Sequence, residues 1–545
     1  MKISFEKYYT PAVAYSKRLL TGVTSKRVAF IAIAIAIGLR LIHYLLDRSL
    51  WIDEAFVALN IQERSLLELL DPLKYNQAAP VGFLAITKSI ALLGGENEYL
   101  LRLFPFISAI VALLLFYRVA KWFGSLPVLA ISLSLFALCD RAIYYSAELK
   151  QYSSDIMFAL AIYCLAIALQ KERLNFTVLA SAAILGGIFI WFSHPAVFVL
   201  AGTGSTLLVS ACWHKDLVKV KQYLAVFGVW LLSFIAFYQI SLTRLINNDA
   251  LQSSWGEAHD SFMPFPPTSL PEAKWFVDKF FEIFNYPVGI YLTGIAAFAF
   301  IVGCAVLFQE RKDKLFILLS PIVVTALASG LHKYPFKGQL LLFIIPAMLL
   351  IIAEGTSNII EATRPKFKFL GIAFAVLLFF YPVYYAVLNL NNPYKYPAFE
   401  YQRVREDIKP VLNYVEQNYQ AEDVVYVYYA AQYALKYYLD RYDFIDTSTE
   451  PRLAPTPQNW FEPVLPSYPP QLIVGQYSRE DWQIFLNELR QLQGNNRVWL
   501  IFAHAVDRRS PLDEEDAFLE IANTLGVQLD RYQGVEAAAY LYDFS

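Results

Sequence analysis

Charge is scarce in this chain. Of 545 residues only 17% are Asp, Glu, Lys or Arg, against 57% apolar and 16% aromatic; soluble domains carry about 25% charged residues. That deficit excludes a large soluble enzyme and leaves a polytopic membrane protein. The formal net charge is −2, with no basic tail or stripe, so nucleic acid is not expected as a partner. Cysteine is almost missing too. Cys139, Cys164, Cys212 and Cys304 lie in or at the ends of apolar runs, and none falls in the polar C-terminal third. No disulfide framework or thiolate metal site can be built there. The chain also lacks internal repeats and low-complexity segments. Its first apolar run, 27–46, has no small-residue cleavage site before Arg48, and reads as a retained membrane helix rather than a signal peptide.

What is present is a series of apolar runs long enough to span a hydrocarbon core, at 27–46, 102–121, 125–143, 155–170, 175–193, 196–213, 222–243, 287–308, 315–331, 339–356 and 369–389. The run 80–93 is too short and holds Lys88 in its middle. With about eleven spans and a cytoplasmic N-terminal segment at 1–26, the basic clusters Arg118/Lys121, Lys171/Arg173, Lys215/Lys219/Lys221, Arg311/Lys312/Lys314 and Arg364/Lys366/Lys368 all fall in inner loops. Segments 61–73 and 80–93 are then expected as juxtamembrane helices on the outer surface. Residues 27–389 form a membrane domain. Region 390–545 changes character, with apolar strands at 423–429, 471–474 and 497–502 alternating with helices at 404–418, 431–440, 479–493 and 512–525. That alternation predicts a small α/β domain, placed outside the cytoplasm by the same topology.

Four polar sites map to the outer face. Asp53-Glu54 follows the first span. An ionisable pair at a membrane edge is read as functional, and its chemistry is that of a general base accepting a hydroxyl proton; a solvated helix end is the plain alternative. The stretch 144–155 brings Glu148, Lys150, Tyr152 and Asp155 together with further tyrosines, whose apolar faces and hydroxyls suit a sugar. His332-Lys333-Tyr334-Pro-Phe-Lys337 sets positive charge against the usual rule, as an anionic lipid phosphate would require. The long loop 244–286, with Trp255, His259 and Trp275, has the length of a substrate lid. His504 and Asp507 stand at a strand end and read as loop structure.

In this order the residues resemble the GT-C fold glycosyltransferases that use polyprenyl-phosphate sugars, among them the protein O-mannosyltransferases and the lipid A aminoarabinose transferases. The resemblance rests on Trp51-Ile-Asp-Glu-Ala55, Gln77-Ala-Ala-Pro80, Leu101-Arg-Leu-Phe-Pro105, Tyr144-Tyr-Ser-x-Glu148 and Tyr334-Pro-Phe-x-Gly338. It implies a hexosyl- or pentosyltransferase that moves one sugar from a polyprenyl phosphate to a glycan, lipid or protein acceptor, at the outer face of the plasma or inner membrane. By the same resemblance Asp53 is the base with Glu54 in support. Glu148, Lys150, Tyr152 and Asp155 line the acceptor or sugar side, and Lys337, Tyr334, Lys333, His332 and Arg102 receive the donor phosphate. Two departures stand out: Ala78-Ala79-Pro80 replaces a frequent His-Pro-Pro, and Gln339 replaces a frequent arginine. No cofactor is required and a divalent metal is not indicated, since on an extended segment Asp53 and Glu54 would point to opposite faces. The competing class is a lipid or solute transporter of the cell envelope, which predicts charges deep in several helices.

Overall fold

The computed structural model describes residues 6–171, 173–243, 261–363, 367–391, 395–398, 401–404, 406–442, 471–477, 482–505 and 514–545. They form two compact units built from discontinuous segments. The first comprises Met1–Leu45, Ala79–Thr87 and Arg102–Asn391, the second Leu46–Ala78, Lys88–Leu101 and Asn392–Ser545.

Helices up to the second unit's sheet run α1 (Glu6–Leu45), α2 (Ile52–Glu63), α3 (Val81–Gly94), α4 (Glu98–Phe123), α5 (Leu126–Leu138), α6 (Asp140–Tyr144), α7 (Tyr152–Leu169) and α8 (Phe176–Phe192). They continue as α9 (Ala196–Trp213), α10 (Leu217–Phe237), α11 (Leu270–Asn285), α12 (Thr293–Glu310), α13 (Lys312–Gly330), α14 (Ile345–Thr363) and α15 (Lys368–Asn391). Each of the eleven apolar runs contains a helix, though in run 287–308 it starts only at Thr293. Among the described residues nine helical segments are long and apolar enough to cross a membrane, and the chain is a multi-span membrane protein. Run 125–143 is a broken pair, Leu126–Leu138 and Asp140–Ala147, meeting at 58° because Cys139 between them is extended. Run 175–193 is α8, whose 17 residues reach about 26 Å at 1.5 Å per residue.

Two expectations change. The helix sought at 61–73 lies earlier, as α2; Arg64 is extended and only Glu68–Leu70 makes a further single turn. There the Ser65 amide donates to the Glu68 carboxylate at 2.7 Å, and Asp71-Pro72 bars continuation. The loop 244–286 contains α11, which Ser269 and Glu272 open with a reciprocal capping box. Trp255 and His259 lie outside the described residues.

In the first unit α14 is central: every residue from Ile345 to Thr356 is buried. Lipid offers helices no hydrophobic drive to associate, so close packing must do it, and small residues permit that. A Cβ on Gly355 would stand 1.8 Å from the Ala299 carbonyl oxygen of α12, and one on Gly303 2.0 Å from that of Ile351. Both obstacles are backbone and cannot swing aside. Gly355→Ala is therefore expected to cost about 3 kcal/mol in thermal unfolding of the detergent-solubilised chain. Gly294→Ala, which meets nothing within 4 Å, serves as the neutral control. Equal stabilities would refute this packing.

The second unit carries a hairpin, β1 (Lys395–Ala398) with β2 (Tyr401–Val404), then α16 (Lys409–Asn418), β3 (Val424–Val427), α17 (Gln432–Tyr438), β4 (Leu472–Val474), α18 (Trp482–Gln491), β5 (Val498–Ala503), α19 (Glu514–Leu525), β6 (Val527–Gln533) and β7 (Ala537–Asp543). The five-stranded sheet has the order β4-β3-β5-β7-β6. Its first three strands are parallel, and β7 and β6 are antiparallel. The helix expected at 404–418 starts at Lys409, since Val404 ends β2.

Behind β3, Tyr426 donates to Glu488 at 2.5 Å and the Gln476 amide donates at 2.7 Å. Burial nevertheless outweighs both bonds and pushes the Glu488 carboxyl up from 4.5 to about 7. The folded state then binds the extra proton between those values, so stability is greatest below about 4.5 and falls as pH rises through 7. The contribution at stake is up to about 3 kcal/mol. Thermal unfolding between pH 5 and 8 should decline in the wild-type chain and flatten in Glu488→Gln; parallel profiles would refute the assignment.

Candidate functional site

The residues with a case for chemistry fall in both units. In the second, Asp53 and Glu54 occupy the first turn of α2, where the unsatisfied amides favour negative side chains. This corrects the extended geometry expected of the pair. On a helix adjacent side chains are about 100° apart, and the argument from opposite faces lapses. Glu54 is buried. Asp53 is half-buried, and its side chain has no hydrogen-bond or ion-pair partner among the described residues.

Trp51 is the N-cap of α2 and offers no side-chain acceptor. The missing acceptor comes from far along the chain: Glu406 Oε1 receives the Ile52 amide at 2.8 Å. His504 Nδ1 lies 3.3 Å from the same oxygen. Burial alone would raise the Glu406 carboxyl, but the His504 charge, its hydrogen bond and the Ile52 amide hold it down at about 2. Its contribution is thus complete above about 4.5 and lost only as pH falls through 2.

Neighbouring contacts continue the hold. The Leu50 amide donates to the Tyr438 hydroxyl at 2.8 Å. Ser49 donates to Asp407 through amide and hydroxyl, and accepts from the Lys409 amide at 2.9 Å. Lys409 bonds the Asp47 carbonyl at 2.6 Å and pairs with Glu98 at 3.2 Å, which Arg441 also meets at 2.9 Å. At the far end of α2, Lys436 pairs with Glu63 at 2.6 Å, and Tyr433 packs edge-on to Phe56 at 4.7 Å.

In the first unit the 144–155 and 332–338 sites come together. Tyr152 and Asp155 open α7, one turn apart, and α7 packs on the short 3₁₀ helix Gly338–Ile344. Asp155 is buried with Ser193 as its neighbour, and its Oδ1 has no hydrogen-bond partner among the described residues. Tyr334 donates to the Leu340 carbonyl at 2.9 Å. Burial, with the Asp155 and Tyr152 charges adding, pushes its phenol up, so it stays protonated. Lys337 is half-buried beside Gly338, whose φ of +56° lies in the left-handed region that favours glycine. Glu148, Lys150 and Arg102 are buried, the last in α4. His332 and Lys333 are exposed, and His332 lies against Phe262 at 5.1 Å. The approach of Tyr334 to Asp155 does not extend to these two.

A further polar cluster gave no sequence signal beyond an Asp-Arg pair inside an apolar run. Arg141, fully buried, stacks 4.4 Å over Tyr286 and donates to Tyr291 at 3.2 Å. Tyr291 donates to Asp140 at 3.0 Å, and Tyr145 shares a hydrogen bond with Tyr286 at 2.9 Å. Tyr145 in turn packs edge-on against Tyr152 at 4.9 Å. Among the described residues no group of three His, Cys, Asp or Glu side chains has the spacing of a metal site.

No protein-family model matches the sequence, and no curated protein matches it at a significant level. Among solved structures, the chain is similar to ArnT from Cupriavidus metallidurans in the apo state, with 11% identity and a TM-score of 0.48 over 97% of this chain and 98% of that one. The same protein bound to undecaprenyl phosphate gives 11% identity and a TM-score of 0.47 over the same shares. The archaeal oligosaccharyltransferase AglB from Archaeoglobus fulgidus, in complex with an inhibitory peptide and a dolichol-phosphate, gives 12% identity and a TM-score of 0.46 over 95% of this chain and 74% of that one.

Proposed function

We propose that this chain is a membrane glycosyltransferase of the GT-C class, moving one sugar from a polyprenyl phosphate to an acceptor at the extracytoplasmic face. The observation that carries the reading is Asp53: a half-buried carboxylate, without a side-chain partner among the described residues, on a helix that follows the first span in the chain and whose Ile52 amide is held by Glu406. A carboxylate so held is ready to take a proton.

In the reaction the acceptor hydroxyl or amine attacks the anomeric carbon while Asp53 takes its proton. The bond from that carbon to the phosphate oxygen breaks, and the lipid phosphate leaves with the electron pair. Glu54 supports the base. Positive charge near the departing phosphate lowers the barrier, a task assigned to Lys337 with Tyr334 and Arg102, and with His332 and Lys333 at the exposed tip. Glu148, Lys150, Tyr152 and Asp155 bind the sugar or acceptor; the open oxygen of Asp155 suits a hydroxyl donor. No metal is part of this reading.

A transporter is the second reading, favoured by the broken span at Cys139 and the Asp140-Arg141 pair within it. Profiling of glycans and lipid-linked sugars in cells with and without the gene separates the two. A transferase leaves one glycan feature missing and its polyprenyl-phosphate sugar accumulating. A transporter leaves transfer intact and shifts its cargo across the membrane.

A further inference from the structure

Parallel α/β sheets bind ligands beyond the carboxyl ends of their strands, where the chain order switches direction. In the second unit that point lies between β3 and β5: the chain leaves β3 for β4 on one side and returns to β5 on the other. His504 is the first residue after β5, and α17 follows β3. Both reach the same object, the 47–63 segment that bears Asp53. His504 does so through Glu406, and α17 through Tyr433, Lys436 and Tyr438.

We propose that Glu406, oriented by His504, is a positioning residue for Asp53, and that the α/β domain uses its ligand-binding edge to hold the segment carrying the base. This rests on the transferase reading above. Three features carry it. The α2 N-cap has no acceptor of its own. The acceptor supplied is a buried carboxylate from 354 residues away, bonded one position before Asp53. His504 holds a left-handed backbone, φ +56°, uncommon for a residue other than glycine, at the point where the chain leaves β5. A hydroxyl proton is transferred efficiently only over hydrogen-bond reach, so loosening the first turn of α2 displaces the base.

The test uses the whole chain, with Asp53→Asn and three further variants at matched membrane abundance. Glu406→Ala removes the acceptor. Glu406→Gln keeps it and removes the charge. His504→Asn alters only the half-exposed partner. Hydrogen exchange at amides 52–55 should quicken about fivefold to thirtyfold in Glu406→Ala, the range set by losing a helix cap, and the glycan product should fall by at least about tenfold. Glu406→Gln should restore most of both, a rescue that a bulk packing role does not give. His504→Asn should lower product about threefold to tenfold, and it decides the matter if Glu406→Ala fails to accumulate. Unchanged exchange and product in Glu406→Ala, or in His504→Asn where that variant decides, overturn the proposal while Asp53→Asn remains inactive. If Asp53→Asn itself retains product, the transferase reading falls instead, whatever Glu406 does.

Discussion

Asp53→Asn is expected to lower sugar transfer about 10²- to 10⁴-fold, the contribution of a positioned general base, without reducing the amount of folded protein in the membrane. The side chain has no partner to lose among the described residues, and asparagine keeps its size and its place in the first turn of α2. The change therefore removes a proton acceptor and little else. Cells carrying the variant should match the deletion in the missing glycan feature and in the accumulated polyprenyl-phosphate sugar. Product at the wild-type level would remove Asp53 from the chemistry, and the broken span with Asp140 and Arg141 would then command attention as a transport path.

Arg141→Met should be the most destabilising of the polar substitutions, at about 3–5 kcal/mol in thermal unfolding. Arg141 is fully buried, and its guanidinium faces Asp140 at 3.6 Å, the Tyr291 hydroxyl at 3.2 Å and the Tyr286 ring at 4.4 Å. Methionine fills much of the volume but leaves Asp140 charged and buried without its cation. Adding Asp140→Asn to Arg141→Met removes that stranded charge, and should recover about 1–3 kcal/mol. A single variant within 1 kcal/mol of wild type would mean that water or lipid compensates Asp140.

The spans were readable because a membrane helix is a signal of composition over about 20 residues. So were β3, β4 and β5, as short apolar runs between helical stretches. The last two strands were not. Val527–Gln533 is mostly exposed, and Ala537–Asp543 begins Ala-Ala-Ala, a poor strand former that antiparallel pairing with β5 overrides. Asp53 stood out in the sequence as an acidic residue just past a span, but its helical conformation did not, because Trp51 is no capping residue and the acceptor for Ile52 lies hundreds of positions away. Likewise Tyr334 and Asp155 were each singled out in separate loops, but only the packing of α7 on Gly338–Ile344 makes them neighbours. Long-range bonds from a side chain to a backbone amide leave no periodicity to read.

The distance between Ile52 and Glu406 also sets a clock. A ribosome adding about 5–20 residues per second needs roughly 18–70 s to cover 354 residues. For that interval the Asp53 helix exists without its cap, and Asp47, Ser49 and Glu98 without Lys409, Asp407 and Arg441. A nascent chain halted anywhere in its membrane region thus lacks all of these bonds, and they form only once residues 406–441 have been made.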